Sequence, residues 1–233
     1  MFTELKKLID GSDNIVFFGG AGVSTESGIP DFRSVDGIYN QQYQYPPEIM
    51  ISHGFFKNHT EEFFDFYRKK LLFLDAQPNK AHIALAKLEK MGKVKAVITQ
   101  NIDGLHQKAG SKNVIELHGS TLRNYCVNCG KFFDVKAIAE STGIPTCACG
   151  GIIKPDVVLY DESLDEENIG KAIDFISKAD VLIVGGTSLV VYPAAGMIEH
   201  YRGNDLVLIN KTVTSKDRKA SLIFRENIGE VLG

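Results

Sequence analysis

The sequence predicts an α/β fold, namely a doubly wound parallel sheet with a smaller second domain formed by two insertions. Three observations support this prediction. Five short runs rich in valine and isoleucine end in small or polar residues, as strands covered on both faces do. Helical patterns lie between some of these runs, and alternation of strand and helix favours a parallel sheet. Two segments interrupt the alternation, one rich in aromatic residues and one holding all four cysteines.

Each predicted strand leads into residues that could contact a ligand. The five strands are 14–18 before GGAG, 94–99 before QNID, 114–117 before HGS, 181–184 before GGTS and 206–209 before Asn210. Helices are predicted over 79–91, with Ile83, Leu85 and Leu88 on one side, and over 164–178, where acidic residues come first and lysine last, as the helix dipole prefers. Because ligands of doubly wound sheets bind outside the carboxyl ends of the strands, we expect these turns to gather at one edge.

The two interruptions are expected to pack together as the smaller domain. Residues 36–81 contain YNQQYQYPP, which indicates a loop, and then TEEFFDFYRKKLLFL, which indicates an amphipathic helix. Residues 119–154 contain the cysteines. The rest of the chain, 1–35, 82–118 and 155–233, is assigned to a Rossmann-like nucleotide-binding domain.

The composition argues against several classes of protein. Apolar residues make up 44% of the 233 residues and charged residues 24%, so a filled core is expected and disorder is not. The net charge of −3 provides no positive field for a nucleic-acid backbone, so direct nucleic-acid binding is not expected. The chain shows no signal peptide and no apolar run approaching about 20 residues, which favours a cytoplasmic protein without a membrane span. The default expectation for the oligomeric state is a monomer.

The four cysteines, Cys126, Cys129, Cys147 and Cys149, form a CxxC and a CxC motif close together in the chain. Two thiolate pairs on tight turns can grip opposite faces of a tetrahedral zinc ion, and four sulfur ligands leave no open position, so the site would be structural. Two disulfides or four free thiols are the alternatives, and a reducing compartment disfavours the disulfides. A nucleic-acid zinc ribbon is a further alternative, disfavoured because basic residues nearby are sparse.

The segment FFGGAGVSTESGIPDFRS combines a glycine turn with a proline-containing loop. Gly20, Ala21 and Gly22 would let the backbone approach a pyrophosphate at a helix N-terminus, although glycine turns also occur only to connect elements. Thr25 occupies the position of the third glycine of the dinucleotide fingerprint. A second turn, GGTS at 185–188, follows another buried strand. Two such turns suit a ligand with two phosphates and two sugars.

Polar residues that follow two further strands are candidates for chemistry. Gln100, Asn101 and Asp103 lie just past one strand, and His118 lies just past another. Histidine has the unperturbed pKa nearest neutrality, so His118 suits a general base. Asp103 could instead only cap a turn. The other five histidines are interpreted as structural: His53, His59, His82, His106 and His200.

The chain resembles the sirtuin family of NAD-dependent protein deacylases in a series of motifs that occur in the family's order. These are GAGVSTESGIPDFRS, TQNIDGLH, ELHG, the four-cysteine module, and GTS followed by LIN. They extend over nearly the whole chain, which is most similar to the bacterial deacetylases of the family. The resemblance implies that an acetyl group passes from acetyl-lysine to ADP-ribose, with release of nicotinamide and O-acetyl-ADP-ribose.

The resemblance also implies roles for individual residues. His118 would be the general base, and Asn101 would be catalytic with it. Asp31, Phe32 and Arg33 would lie on a loop that closes over the nicotinamide ribose. Contacts with the co-substrate NAD would be made by Ala21, Gly22, Thr25, Asp31, Phe32, Arg33, Gln100, Asn101, Ile102, Asp103, His118, Thr187, Ser188, Asn210 and Ile228. The four cysteines would hold the structural zinc ion.

On the substrate side, KPDVVLY resembles the family's strand that pairs with the substrate peptide. Val157 and Val158 would flank the acyl-lysine, whereas Leu159-Tyr160 departs from the phenylalanine common in the family. One branch of the family binds acidic acyl groups with a tyrosine and an arginine three residues later. Here Tyr67 is followed at that spacing by Lys70, which lacks the bidentate fork of arginine. Acetyl and similar neutral groups are therefore favoured.

Three alternatives stay open on sequence grounds. A hydride-transferring dehydrogenase would share the nucleotide fold, but the absent third glycine argues against it. A non-catalytic NAD-binding or zinc-ribbon module would not depend on His118. ADP-ribosyl transfer to protein would be a side activity within the same family.

Overall fold

The computed structural model describes residues 2–32, 37–38 and 45–233, and within them the chain forms nine strands and nine α-helices. The strands are β1 Ile15–Gly19, β2 Val94–Thr99, β3 Val114–Glu116, β4 Gly119–Cys126, β5 Phe132–Asp134, β6 Ile153–Val157, β7 Val181–Gly185, β8 Asp205–Ile209 and β9 Leu222–Phe224. The helices are α1 Phe2–Gly11, α2 Pro47–Met50, α3 His53–Asn58, α4 Thr60–Lys70, α5 Lys80–Lys90, α6 Leu105–Ala109, α7 Lys136–Ala139, α8 Glu166–Lys178 and α9 Ile228–Leu232. Across the described ranges, we find no helix whose length and apolar character would let it cross a membrane.

Six strands form a parallel sheet in the order β3-β2-β1-β7-β8-β9. The chain runs outward from β1 to β3 and then returns to the other side of β1, where it continues through β7. This reversal creates a crevice between β1 and β7 at their carboxyl ends, which is where doubly wound folds bind ligands. The predicted fold class is confirmed.

Side chains of the central strand alternate between two apolar clusters, which explains why the strand is apolar throughout. Val16 and Phe18 belong to the cluster that includes α8, whereas Ile15 and Phe17 belong to the cluster that includes α1, α5 and α9. All four side chains are fully buried. Each such burial stabilises the fold by about 1.5–3 kcal/mol relative to an exposed side chain.

A second, smaller unit consists of the antiparallel sheet β5-β4-β6 and the helices α2, α3, α4 and α7. Its core is a third apolar cluster in which Phe56, Phe63 and Phe64 contact one another edge to face. In the described part of the segment expected to hold a loop and one helix, the chain forms the three helices α2 to α4 and begins α5. β6 begins at Ile153, so one strand spans the predicted boundary between residues 154 and 155. The residue limits of the two domains stay a prediction.

Two local expectations are wrong. The glycine turn after β1 does not open an α-helix but continues as two 3-10 turns, Ala21–Val23 and Thr25–Ser27. Ile83 is 55% exposed, although the helical pattern placed it on one side with Leu85. The reason is that α5 turns the face bearing Ala81 and Leu85 toward the sheet, and position 83 lies well away from that face at 100° per residue.

Candidate active site

The two glycine turns lie against each other at the crevice between β1 and β7. Gly20 donates its N–H to the carbonyl of Gly185 at 3.1 Å, and Gly22 donates to the carbonyl of Gly186 at 2.8 Å. A Cβ on Gly22 would lie 2.7 Å from Cα of Gly186, closer than real Cβ atoms come to other atoms. These glycines are therefore required for contact between the turns. The N–H groups of Gly20 and Gly22 bond to the second turn, so these two do not point outward as they would at the start of an α-helix.

Ser24 links two of the predicted site residues. Its Oγ donates to Oδ2 of Asp103 at 2.6 Å and accepts from Nδ2 of Asn101 at 3.1 Å. Ser24 is 1% exposed, so these hydrogen bonds lie in a low-dielectric interior that strengthens them. The other carboxylate oxygen of Asp103 accepts the N–H of Leu105 at 2.9 Å at the start of α6. Asp103 thus caps a turn with one oxygen and joins the Ser24 network with the other.

His118 is held in one tautomer by the loop that follows β2. Its Nδ1 lies 2.9 Å from the carbonyl oxygen of Gln100, and a carbonyl can only accept, so Nδ1 carries the proton. Nε2 is then left with a lone pair. Burial lowers the pKa of His118 below its usual 6.5, and the hydrogen bond to Gln100 opposes this shift. The ring is therefore neutral at pH 7 and can accept a proton at Nε2.

Gln100 connects His118 with the far side of the crevice. Its Nε2 donates to Oγ1 of Thr187 at 3.0 Å, and its N–H donates to the carbonyl of Gly19 at 2.9 Å. Thr187 lies in the turn after β7, followed by Ser188. Gln100 thus joins the ends of β1, β2 and β7, and its backbone carbonyl accepts the Nδ1–H of the His118 ring.

The backbone of His118 is bonded to the strand that carries the two predicted substrate valines. Val158 donates its N–H to the carbonyl of His118 at 3.0 Å. Gly119 follows with φ +76°, and a Cβ there would lie 1.9 Å from the carbonyl oxygen of Asp156. Val157 belongs to the cluster of the smaller unit, while Val158 packs against the cluster beneath α8. The histidine and the end of β6 therefore form one continuous piece of backbone pairing.

Other predicted NAD contacts lie around this centre. Thr25 donates its Oγ1 to the carbonyl of Gly22 at 3.1 Å. Ile228 begins α9 and comes within 3.2 Å of a Cβ built on Gly185. Asn210 follows β8, and its Nδ2 bonds to residue 212. These residues approach the crevice from the β1, β7 and β8 strand ends. Ala21 lies on the first 3-10 turn.

The predicted lid residues are only partly described. Phe32 is half-buried and packs against the apolar cluster of the smaller unit. The carbonyl of Asp31 accepts the N–H of Ile38 at 2.9 Å. Ile102, from the loop after β2, packs against the same cluster as Phe32. Arg33 lies outside the described residues.

The four cysteine sulfurs converge from two turns. The Cys126–Cys149, Cys129–Cys149 and Cys129–Cys147 sulfurs are 3.4, 3.5 and 3.8 Å apart, and all four lie within 4.8 Å of one another. The thiols are free, so the disulfide alternative is not supported. A tetrahedral zinc ion with bonds of about 2.3 Å separates its sulfur ligands by about 3.8 Å. The cluster therefore fits such an ion.

Two structural contacts beneath the site were not anticipated. Asn79 caps α5 through Oδ1, which accepts the N–H of Ala81 at 2.9 Å, while its Nδ2 donates to the carbonyl of Val23 at 2.8 Å. The same residue thus begins the helix and holds the turn that bears Ser24. An asparagine directly before a helical pattern is a recognisable N-cap signal, but its second bond depends on the fold.

A pair of buried histidines lies in the same region. The rings of His82 and His106 meet at 4.7 Å, and Nδ1 of His82 accepts the N–H of Asn79 at 3.2 Å. Burial lowers the pKa of His82, with the charge of Asp103 opposing the shift. Burial also lowers the pKa of His106, and His82 adds to that shift. Both rings are neutral at pH 7, as expected of structural histidines.

Fold and site together define a class of protein. It is a nucleotide-binding α/β protein with a neutral histidine near the carboxyl ends of its parallel strands. This histidine lies where the crevice meets the smaller antiparallel unit, which contains four converging cysteines. The chain belongs to the Sir2 family, whose model matches residues 20–193. The resemblance found in the motifs is confirmed.

Known relatives are similar over almost the full chain. An NAD-dependent protein deacetylase of Clostridium perfringens is 64% identical over 234 residues, which cover 99% of this chain and 96% of that protein. A solved structure of Sir2 with p53 peptide and NAD+ is 42% identical with a TM-score of 0.88, and the match covers 99% of this chain and 95% of that one. Sir2 in complex with the inhibitor EX-527, 2′-O-acetyl-ADP-ribose and deacetylated p53 peptide is 40% identical with a TM-score of 0.85, covering 98% and 94%.

Proposed function

We propose that this chain is an NAD-dependent protein lysine deacetylase. It transfers the acetyl group of acetyl-lysine to the ADP-ribose part of NAD and releases nicotinamide and O-acetyl-ADP-ribose. The observation that supports this most directly is the position of His118, whose ring bonds to the loop after β2 while its backbone carbonyl accepts the N–H of Val158, just past β6. A base in that position serves a reaction between a nucleotide in the crevice and a peptide at the strand.

NAD is expected to occupy the crevice between β1 and β7. The two glycine turns and Thr187 lie at this crevice, and the Ser24, Asn101 and Asp103 network lies next to the first turn. Asn101 and Asp103 are already ordered by Ser24, so they would meet the nicotinamide end with little further loss of freedom. Phe32 would cover that end and exclude water, which would otherwise hydrolyse NAD.

The acetyl-lysine peptide is expected to pair with the backbone beyond β6. Val157 and Val158 send their side chains to opposite faces of that strand, so they can flank an inserted lysine side chain. His118 then accepts a proton at Nε2 from a ribose hydroxyl during acyl transfer. Its lowered pKa keeps it in the accepting form at neutral pH.

The preference for acetyl over acidic acyl groups is supported by the surroundings of Tyr67. This side chain is fully buried in the core of the smaller unit, where it stacks on Phe63. Burial raises its pKa above the usual value, and the charge of Asp156 adds to the shift. A tyrosine that packs in this core, without an arginine three residues later, disfavours a site for a carboxylate.

The four cysteines would hold zinc in a structural role, because four sulfur ligands leave no position for water or substrate. A cytoplasmic location and a monomeric state stay predictions from the sequence, as does the absence of nucleic-acid binding.

The test is incubation of the protein with NAD and a mixed panel of acyl-lysine peptides, followed by mass spectrometry. We expect nicotinamide, free lysine peptide and O-acetyl-ADP-ribose in equal amounts, with the acetyl peptide consumed fastest. His118→Ala is the matched control, expected to abolish turnover while circular dichroism stays unchanged. A rise in NADH absorbance would indicate a dehydrogenase. Stable NAD and peptide would indicate a binding module, and ADP-ribosylated protein would reveal the side activity.

A further inference from the structure

We propose that Arg123 is a positioning residue that holds the acyl-lysine-binding strand against the His118 segment. We further infer that the β-bulge that presents Arg123 ties β4, the partner of this strand, to the loop after β2. The inference deepens the proposed deacetylase function and rests on it.

A bulge of three residues interrupts the pairing of β4 with β6. Ser120 is opposite Asp156, but the next pair along β6 joins Pro155 to Asn124, so residues 121–123 have no partner in β6. Proline lacks an N–H and cannot continue the ladder. Bulges of this kind redirect side chains and are frequent beside active sites. Here the bulge directs each of its residues to a different neighbour.

Arg123 bridges two carboxylates on different strands. Its Nη1 is 2.7 Å from Oε2 of Glu116, and its Nε is 2.8 Å from Oδ2 of Asp156. Glu116 ends β3, two residues before His118, and its side chain is only 9% exposed. Its other oxygen accepts Nε2 of Gln107 at 2.7 Å. The guanidinium therefore joins Glu116 at the end of β3, two residues before His118, to Asp156, the residue before Val157.

Only an arginine can make this bridge. Its donors lie in a rigid plane that can serve two carboxylates at once, whereas lysine offers a single ammonium on a flexible stem. The backbone carbonyl of Asp156 also lies close to Gly119, where a built Cβ would come within 1.9 Å of its oxygen. Loss of the bridge would leave the strand held near His118 by backbone pairing and by the packing of Val157 and Val158, without a side-chain ion pair to the end of β3.

The other two residues of the bulge contact the loop after β2. Thr121 donates its N–H and its Oγ1 to the carbonyl of Ile102, at 2.9 and 3.0 Å. The side chain of Leu122 covers Gly104, where a Cβ would lie 2.7 Å from Cδ1 of the leucine. Ile102 and Gly104 flank Asp103. The bulge thus touches the loop on both sides of the carboxylate that Ser24 orders.

The experiment compares steady-state kinetics of the wild type with Arg123→Met, which keeps chain length and removes the donors. With NAD saturating, we expect the KM for acetyl peptide to rise by about tenfold, the loss of one charge-assisted contact, and kcat to fall. The KM for NAD should change by less than about twofold. Arg202→Met, an exposed arginine before β8, is the matched control and should match the wild type.

Two further variants separate positioning from folding. Asp156→Asn keeps the shape of the site and removes the charge from one of the two bridges, which weakens it, so it should raise the peptide KM in the same direction. Combined with Arg123→Met it should add little, because both act through one contact. Arg123→Lys keeps the charge and should leave the peptide KM raised, because one ammonium cannot reproduce the fork.

Three results would overturn the inference while the wild type deacetylates: an unchanged peptide KM in Arg123→Met, an equal rise of both KM values, or full rescue by lysine. If Arg123→Met does not fold, an unchanged peptide KM in Asp156→Asn has the same force. A wild type without deacetylation would instead refute the proposed function.

Discussion

Gly119 is the position where a single methyl group should do most damage to the site. Its φ of +76° costs a side chain about 1–2 kcal/mol. The added Cβ would also lie 1.9 Å from the carbonyl oxygen of Asp156, about 1.5 Å short of the 3.4 Å at which ordinary contact begins. The obstacle is backbone, so the strand itself must move away.

The movement sets the expected magnitude. A retreat of the Asp156 carbonyl weakens the pairing of Gly119 with Val157 and the bond from Val158 to His118, each worth about 1 kcal/mol. Gly119→Ala should therefore lower the free energy of unfolding by about 3 kcal/mol. It should lower kcat/KM by about 100-fold, because a displacement near 1 Å between base and substrate has that effect.

Gly92→Ala separates the strain from the clash. Gly92 has φ +78° but no atom within 4 Å of a built Cβ, and it lies in the exposed turn after α5. This variant should lose about 1 kcal/mol of stability and no activity. Urea unfolding and deacetylation assays on both variants make the comparison. Equal stability losses with full activity in Gly119→Ala would refute the argument from close approach.

Three other predictions concern titration and metal. The acid limb of the kcat/KM profile should have its midpoint below pH 6.5, because burial lowers the pKa of His118 and only the neutral ring accepts a proton; a midpoint above 6.5 in a pH–rate titration would contradict this assignment. Because the pKa values of His82 and His106 are lowered in the folded protein, the unfolded chain binds more protons than the folded chain below pH 6.5. The free energy of unfolding should therefore fall by about 1.4 kcal/mol per histidine for each pH unit from pH 6.5 toward pH 5. His106→Met should remove the share of the slope that one histidine contributes, about 1.4 kcal/mol per pH unit, in urea titrations, and an unchanged slope would place the cause elsewhere. Chelation should release one zinc ion per chain and lower the unfolding midpoint, as measured by metal analysis and thermal melting, and a protein that melts identically after complete removal would show that the ion is not structural.

Residue pattern predicted the parallel sheet and the place of the crevice, because both depend on local signals. Apolar runs mark buried strands, and the ends of parallel strands meet at one edge, so Gln100, His118 and Thr187 could be grouped before any contact was known. The contacts between them agree with that grouping. Strand β9, Leu222–Phe224, had no prediction.

The remaining features depend on contacts between distant parts of the chain. The 3-10 turns after β1 follow from hydrogen bonds to Gly185 and Gly186, which lie more than 150 residues away in the sequence. The bulge in β4 depends on Pro155 lying opposite it. Asn79 gave a helix-cap signal, but its bond to Val23 needs the folded sheet. Local propensity contains no information on such partners.

Alternate residues of the chain around β6 complete two different cores. Val157 and Leu159 fill the smaller unit, and Val158 packs under the parallel sheet. We therefore expect neither half of this protein to fold as a separate fragment. A cut before β6 would remove one of the two strands that pair with β4. A cut after β6 would expose apolar surface on the larger half. Any shortened version of the protein must therefore keep β6 and residues 158–159 intact.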